Sequence, residues 1–150
     1  MDQIAMNAAY QVEGSVIGVL ADSLVKTIDR PEVRQAIGNG STVLCTPYGP
    51  EAGFSVGNAM GRNKLIYGLS QLTLVVASDH DSGGTWAGAT EALKHGFGQV
   101  VVWRGPGEGQ GNAVLVERGG IAIDDVGLLE SILAQPEVSV KESPRVVQRS

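Results

Sequence analysis

The chain has little of several things, and each shortage rules something out. Cysteine occurs once, at Cys45, and histidine twice, at His80 and His95. One thiol cannot close an intramolecular disulfide, and so few soft ligands exclude a transition-metal cluster. Cys45 sits in the apolar run Thr42-Val43-Leu44-Cys45, where a free thiol behaves as a small hydrophobe. A reducing cytoplasm is the expected compartment. No apolar run approaches the roughly 18 residues needed to cross a bilayer. The N-terminus also lacks a basic segment followed by an apolar core, so neither membrane insertion nor export is expected. Cations are scarce too: 11 Lys and Arg against 16 Asp and Glu give a formal charge of −5. Non-specific nucleic-acid affinity comes from neutralising phosphates, so any such binding has to rest on a local basic cluster.

What is present points to one ordered domain. The length of 150 residues is enough to bury a core without disulfide or metal. Glycine occurs 21 times, mostly at the ends of apolar runs, which reads as many tight turns. Four runs rich in β-branched residues, 15–20, 41–45, 72–78 and 99–103, are nearly continuous, as in strands covered on both faces. Between them lie segments of helical spacing. Asp2 to Glu13 carries Ile4, Ala5, Ala8, Ala9 and Val12 on one stripe, and Pro31 to Asn39 opens with a first-turn proline. Asn58 to Ser70 and Thr85 to His95 follow, the latter stopped by Gly96. After a turn-rich loop at 104–111 come a short helix from Asn112, an edge strand at 121–124 and a last helix at 125–135. Alternation of this kind predicts an α/β, Rossmann-like three-layer domain over residues 1–135 with a mostly parallel sheet. Residues 136–150 read as a polar tail. The chain opens in a helix, without the strand and phosphate-binding turn that normally begin a doubly wound sheet, so the domain is expected to be N-terminally truncated.

Two motifs carry candidate chemistry. Gly61-Arg62-Asn63-Lys64-Leu65-Ile66-Tyr67-Gly68-Leu69-Ser70 turns Leu65, Ile66 and Leu69 inward, leaving Arg62, Asn63 and Lys64 to reach a phosphate or carboxylate. The plain alternative is a solvated helix face, or an ion pair with Asp79 or Asp81. Ser78-Asp79-His80-Asp81-Ser82-Gly83-Gly84-Thr85 joins a strand end to a helix start, where open parallel sheets bind ligands. There Gly83 and Gly84 allow close backbone approach, the first helical N–H groups point at an anion, and Ser82 or Thr85 adds a hydroxyl. The alternative is a glycine turn with a Ser or Thr cap. The stretch lacks the Lys of a P-loop and the spacing of G-x-G-x-x-G, so neither nucleotide fingerprint is met. No nucleophile elbow, paired carboxylates or metal pair is present.

Arg62 to Ser70, an apolar strand, and then Ser82-Gly83-Gly84-Thr85 together resemble the DNA-processing protein A (Smf) family. That family belongs to a broader set of Rossmann-like nucleotide- and nucleic-acid-sensing domains, which includes the lysine-decarboxylase-like proteins. Its pattern runs roughly Arg-Asn-Arg-x-Ile-x-Gly-Leu-Ser, strand, Ser-Gly-Ser, helix, and the likeness covers about residues 2 to 123, with Asp2 as the Asp of a Gly-[Ile/Val]-Asp motif. The resemblance implies a non-catalytic protein binding single-stranded DNA or a nucleotide through Arg62 and Lys64, with Asn63 orienting and Ser82, Gly83, Gly84 and Thr85 lining the rim. It also implies self-association and delivery of the strand to a recombinase, with no cofactor. Here Ala59-Met60 replaces Phe-Pro, Lys64 the second Arg and Gly84 the last Ser. Three explanations of the missing first strand stay open: a misassigned start at Met1, which is the one expected, a cut piece, or a strand supplied by a partner. The alternative function is a nucleotide-hydrolysing, N-glycosidase-like enzyme using Gly83, Gly84, Thr85 and Glu91.

Overall fold

The computed structural model describes residues 3–135. Asp2, read above as a motif residue, and the predicted tail at 136–150 lie outside them. The elements alternate as expected: α1 (Gln3–Gln11), β1 (Val16–Val19), α2 (Leu24–Ile28), α3 (Pro31–Gly38), β2 (Thr42–Cys45), α4 (Val56–Leu69), β3 (Leu72–Val75), α5 (Gly83–His95), β4 (Gln99–Trp103), α6 (Asn112–Glu117), β5 (Ile121–Ile123) and α7 (Leu128–Leu133). Every strand pairing among the described residues is parallel. The fold is α/β and Rossmann-like.

The strands form two separate ladders. One holds β1 and β2, the other β3, β4 and β5 in that order. The helix joining the two, α4, packs against β1 and against α5. Within the described residues, β1 and β3 each have one edge without a ladder partner.

The three-stranded sheet is covered on both faces, because its alternate side chains meet different helices. Val100, Val102 and Val75 face Tyr67 of α4, Trp86, Ala89 and Ala92 of α5, and Leu115 of α6. Val101 and Ile123, with Leu72, Leu74 and Trp103 beside them, face Leu129 and Ile132 of α7. This is the three-layer arrangement, and it explains why Gln99–Trp103 reads as a continuous apolar run: Val100, Val101 and Val102 are all buried.

The two-stranded sheet is thinner. Tyr10 of α1 bonds through its hydroxyl to Thr42 Oγ1, which places α1 over the face shared by Thr42 and its register partner Val16. On the opposite face Ile17 and Val43, also register partners, are 70% and 60% exposed. The apolar stripe of α1 does not face a core as its spacing suggests: Ile4, Ala5, Ala8 and Val12 are exposed and only Ala9 is half-buried. A two-stranded sheet offers too little surface to cover a helix face.

Local differences from the sequence expectation have local causes. α2 has five residues, too short to show a period, and is held by Ser23, whose Oγ accepts from the Lys26 amide. The predicted strand at 72–78 leaves its ladder after Val75. α4 starts two residues early because Ser55 caps it, its Oγ accepting from the Asn58 amide at 3.0 Å.

Candidate functional site

The site lies where β3 ends and α5 begins. Ala77, Ser78 and Asp79 leave the sheet, Asp81 and Gly83 turn the chain with φ of 54° and 80°, and α5 starts at Gly83. A side chain at 83 would be strained in that left-handed conformation, which accounts for the first glycine. Between these segments is a cavity of about 240 Å³ lined by Ala77, Ser78, Asp79, Ser82, Gly83, Gly84, Thr85 and Gly109. Ser82 occupies the cap position of α5, yet its side chain makes no capping bond, unlike Ser55 on α4. The first N–H groups of a helix have no partner within it, so those of α5 remain available at the cavity wall.

The far wall comes from the loop after β4. Gly109 and Gly111 lie so close to the backbone of Ser78 and Asp79 that a Cβ on either would collide with it. The Gly111 amide donates to Ser78 O at 2.8 Å. Behind this contact Asn112, fully buried, bonds three backbone groups: Oδ1 accepts from the Ser78 amide at 2.9 Å, and Nδ2 donates to Val76 O at 2.9 Å and Trp103 O at 2.8 Å. Sequence reasoning named Asn112 only as a helix start. A polar residue opening a short apolar helix is an ordinary cap in sequence, and its partners are 9 to 36 positions away.

The basic motif stands beside the cavity and is partly committed. Arg62 donates from Nη1 to Val19 O at 3.0 Å and from Nε to Asn63 Oδ1 at 3.2 Å. Asn63 Nδ2 reaches Gly84 O at 3.5 Å. Thus Arg62 and Asn63 form a polar seam from the end of β1 to the cavity wall. A guanidinium has five N–H donors, so Arg62 keeps donors beyond these two bonds. Lys64 pairs with Glu91 at 3.0 Å, rather than with Asp79 or Asp81. Neither Arg62 nor Lys64 lines the cavity, whereas Ser82, Gly83, Gly84 and Thr85 all do.

Several other side chains have structural work. Tyr67 and Trp86 are each 7% exposed and offer no stacking platform. Burial pushes the Tyr67 hydroxyl above its ordinary pKa, which keeps it neutral. Gly88 leaves room for the Tyr67 ring, and Trp86 makes a T-shaped contact with His80 and lies under the Arg118 guanidinium. Glu91 is held by Lys64 and is absent from the cavity wall. Among the described residues no group of His, Cys, Asp and Glu is placed to hold a metal ion. No helix there is long and apolar enough to cross a membrane.

Comparison with known proteins gives the family and the fold. A family model described as DNA recombination-mediator protein A matches residues 1–127, most of the chain. This chain belongs to that family. Its fold is similar to the crystal structure of DNA processing protein A (DprA) from Streptococcus pneumoniae, with a TM-score of 0.68 at 21% identity. The likeness covers 86% of this chain and 47% of that one, so the chain spans about half the length of the solved structure. A search of curated proteins finds no match.

Proposed function

We propose that this chain is a non-catalytic DNA-processing module whose cavity at the start of α5 receives a backbone phosphate of single-stranded DNA. The observation that carries the reading is the uncapped N-terminus of α5 opening onto that cavity, joined by Asn63 to Arg62. The volume of about 240 Å³ suits a phosphate better than a whole nucleotide cofactor, since pockets for ligands of that size run to roughly 300–1,000 Å³. Backbone N–H groups of residues 83–85 supply donors, Arg62 supplies charge at the rim, and the Ser82 and Thr85 hydroxyls complete the shell. Lys64 contributes less, because Glu91 offsets its charge. Asp79 in the wall opposes an anion, which sets a modest affinity that depends on correct placement of the donors. By the family reading the bound strand passes to a recombinase and the domain self-associates. The glycosidase-like alternative gains nothing from the geometry, since the Glu91 that it requires is ion-paired outside the cavity.

The test is fluorescence anisotropy with labelled oligo-dT across a salt series. Affinity should fall steeply with salt, with a log–log slope of about −0.7 per phosphate neutralised. Arg62→Ala should weaken binding and make the slope shallower by about that amount. Absence of binding at about 50 mM salt would overturn the proposal.

A further inference from the structure

We infer that Asn112 is the positioning residue of the cavity, holding the Ser78 backbone so that the cavity floor keeps its shape; the inference rests on the phosphate-binding reading of that site. The β3–β4 ladder ends at the pair Val75 and Val102. Beyond it the two strands part, which opens a crevice but leaves their backbone groups without ladder partners. Asn112 fills the parting with one side chain. Its amide donates both Nδ2 hydrogens, one to Val76 O on the β3 side and one to Trp103 O on the β4 side, and accepts the Ser78 N–H on Oδ1.

Two carbonyls and one amide proton call for a group with two donors and an acceptor in one plane, and the asparagine amide supplies them. An aspartate would set a carboxylate against two carbonyl oxygens. A leucine would leave the buried Ser78 amide and two part-buried carbonyls without this partner, and a glutamine would need one methylene more room at a site with no exposure. The Ser78 amide is spent on Asn112, which is not among the lining residues, while Ala77, Ser78 and Asp79 line the cavity together with Gly83, Gly84 and Thr85. Gly109 and Gly111 close against the same Ser78–Asp79 backbone from the loop after β4, so both contacts fix one segment.

The test uses the full 150-residue chain with Asn112→Ala, read by amide hydrogen exchange and by oligo-dT anisotropy. The expected result is loss of protection at the Ser78 amide with Val101 and Val102 still protected. Oligo-dT affinity should then fall about tenfold with an unchanged salt slope, because no charge is removed. A merely structural role would leave affinity at the wild-type value in the folded fraction, and that result overturns the inference while the phosphate-binding reading stands. If Asn112→Ala fails to fold, Asn112→Ser, which keeps one donor, is measured in the same way: a smaller loss at constant slope supports the inference, and wild-type affinity overturns it. If wild-type protein does not bind oligo-dT, the DNA reading has failed. The floor is then read with pyrophosphate through the amide shifts of residues 83–85: shifts in wild type that vanish in the variant support the inference, and shifts in both or in neither overturn it.

Discussion

The two sheets are made of similar strands but differ in whether the second face is covered. β4 runs between two neighbours with helices on both faces, and its three central valines are buried. Among the described residues β1 has one neighbour; Val16, Gly18 and Val19 are buried on one face or at the strand end, but Ile17, on the other face, is 70% exposed. The difference teaches that an apolar β-branched run states a capacity to be buried on both faces, while the number of neighbouring elements decides whether burial happens. Both buried clusters of the described residues belong to the second half, from Tyr67 to Ile132. The first half is tied to it through α4: Tyr67 enters that core, Asn63 reaches Gly84 of α5, and Arg62 bonds back to the Val19 carbonyl.

This contrast can be broken or sharpened by substitution. The largest effect is expected at Leu115, fully buried between α6 and the sheet. Leu115→Ala should lower unfolding free energy by about 2–5 kcal/mol in urea denaturation, and a loss under about 1 kcal/mol would deny that this core dominates stability. A smaller effect is expected at the pair formed by Lys64 and Glu91, since half-exposed ion pairs contribute about 0–1 kcal/mol. Glu91→Gln should change stability by less than about 1 kcal/mol while raising low-salt oligo-dT affinity about two- to threefold, as Lys64 is released. Unchanged affinity would place Lys64 outside the DNA path. The smallest effect is expected on the bare face: Ile17→Ser should shift stability by no more than about 0.5 kcal/mol and reduce binding of a hydrophobic dye. A loss of several kcal/mol there would show that the face is covered in solution.

Much of the fold was legible because its signals are local. Pro31 opens α3, Gly96 ends α5 in a left-handed conformation at φ 69°, and Gln99–Trp103 reads as a doubly covered strand. The misreadings have physical causes as well. The α1 stripe has the right period, but period says nothing of whether a surface exists to receive it. The run 72–78 stays apolar as far as Ala77, yet its last residues belong to the site, where Asn112 replaces the ladder. Ser82 to Thr85 was legible as a glycine turn before a helix. The partners of Arg62 and Lys64 were not, because Val19 lies 43 positions from Arg62.

Sequence alone determined the order of strands and helices apart from the short α2, the parallel α/β class and the glycine turn that opens α5. Those properties follow from side-chain period, from proline and glycine backbone limits, and from the need of buried backbone to pair. Only the tertiary structure decided that the strands split into two ladders, that Glu91 occupies Lys64, and that Asn112 holds the ends of β3 and β4. Each of these joins groups far apart along the chain, and a hydrogen bond or ion pair depends on distance in space, which spacing along the chain does not contain.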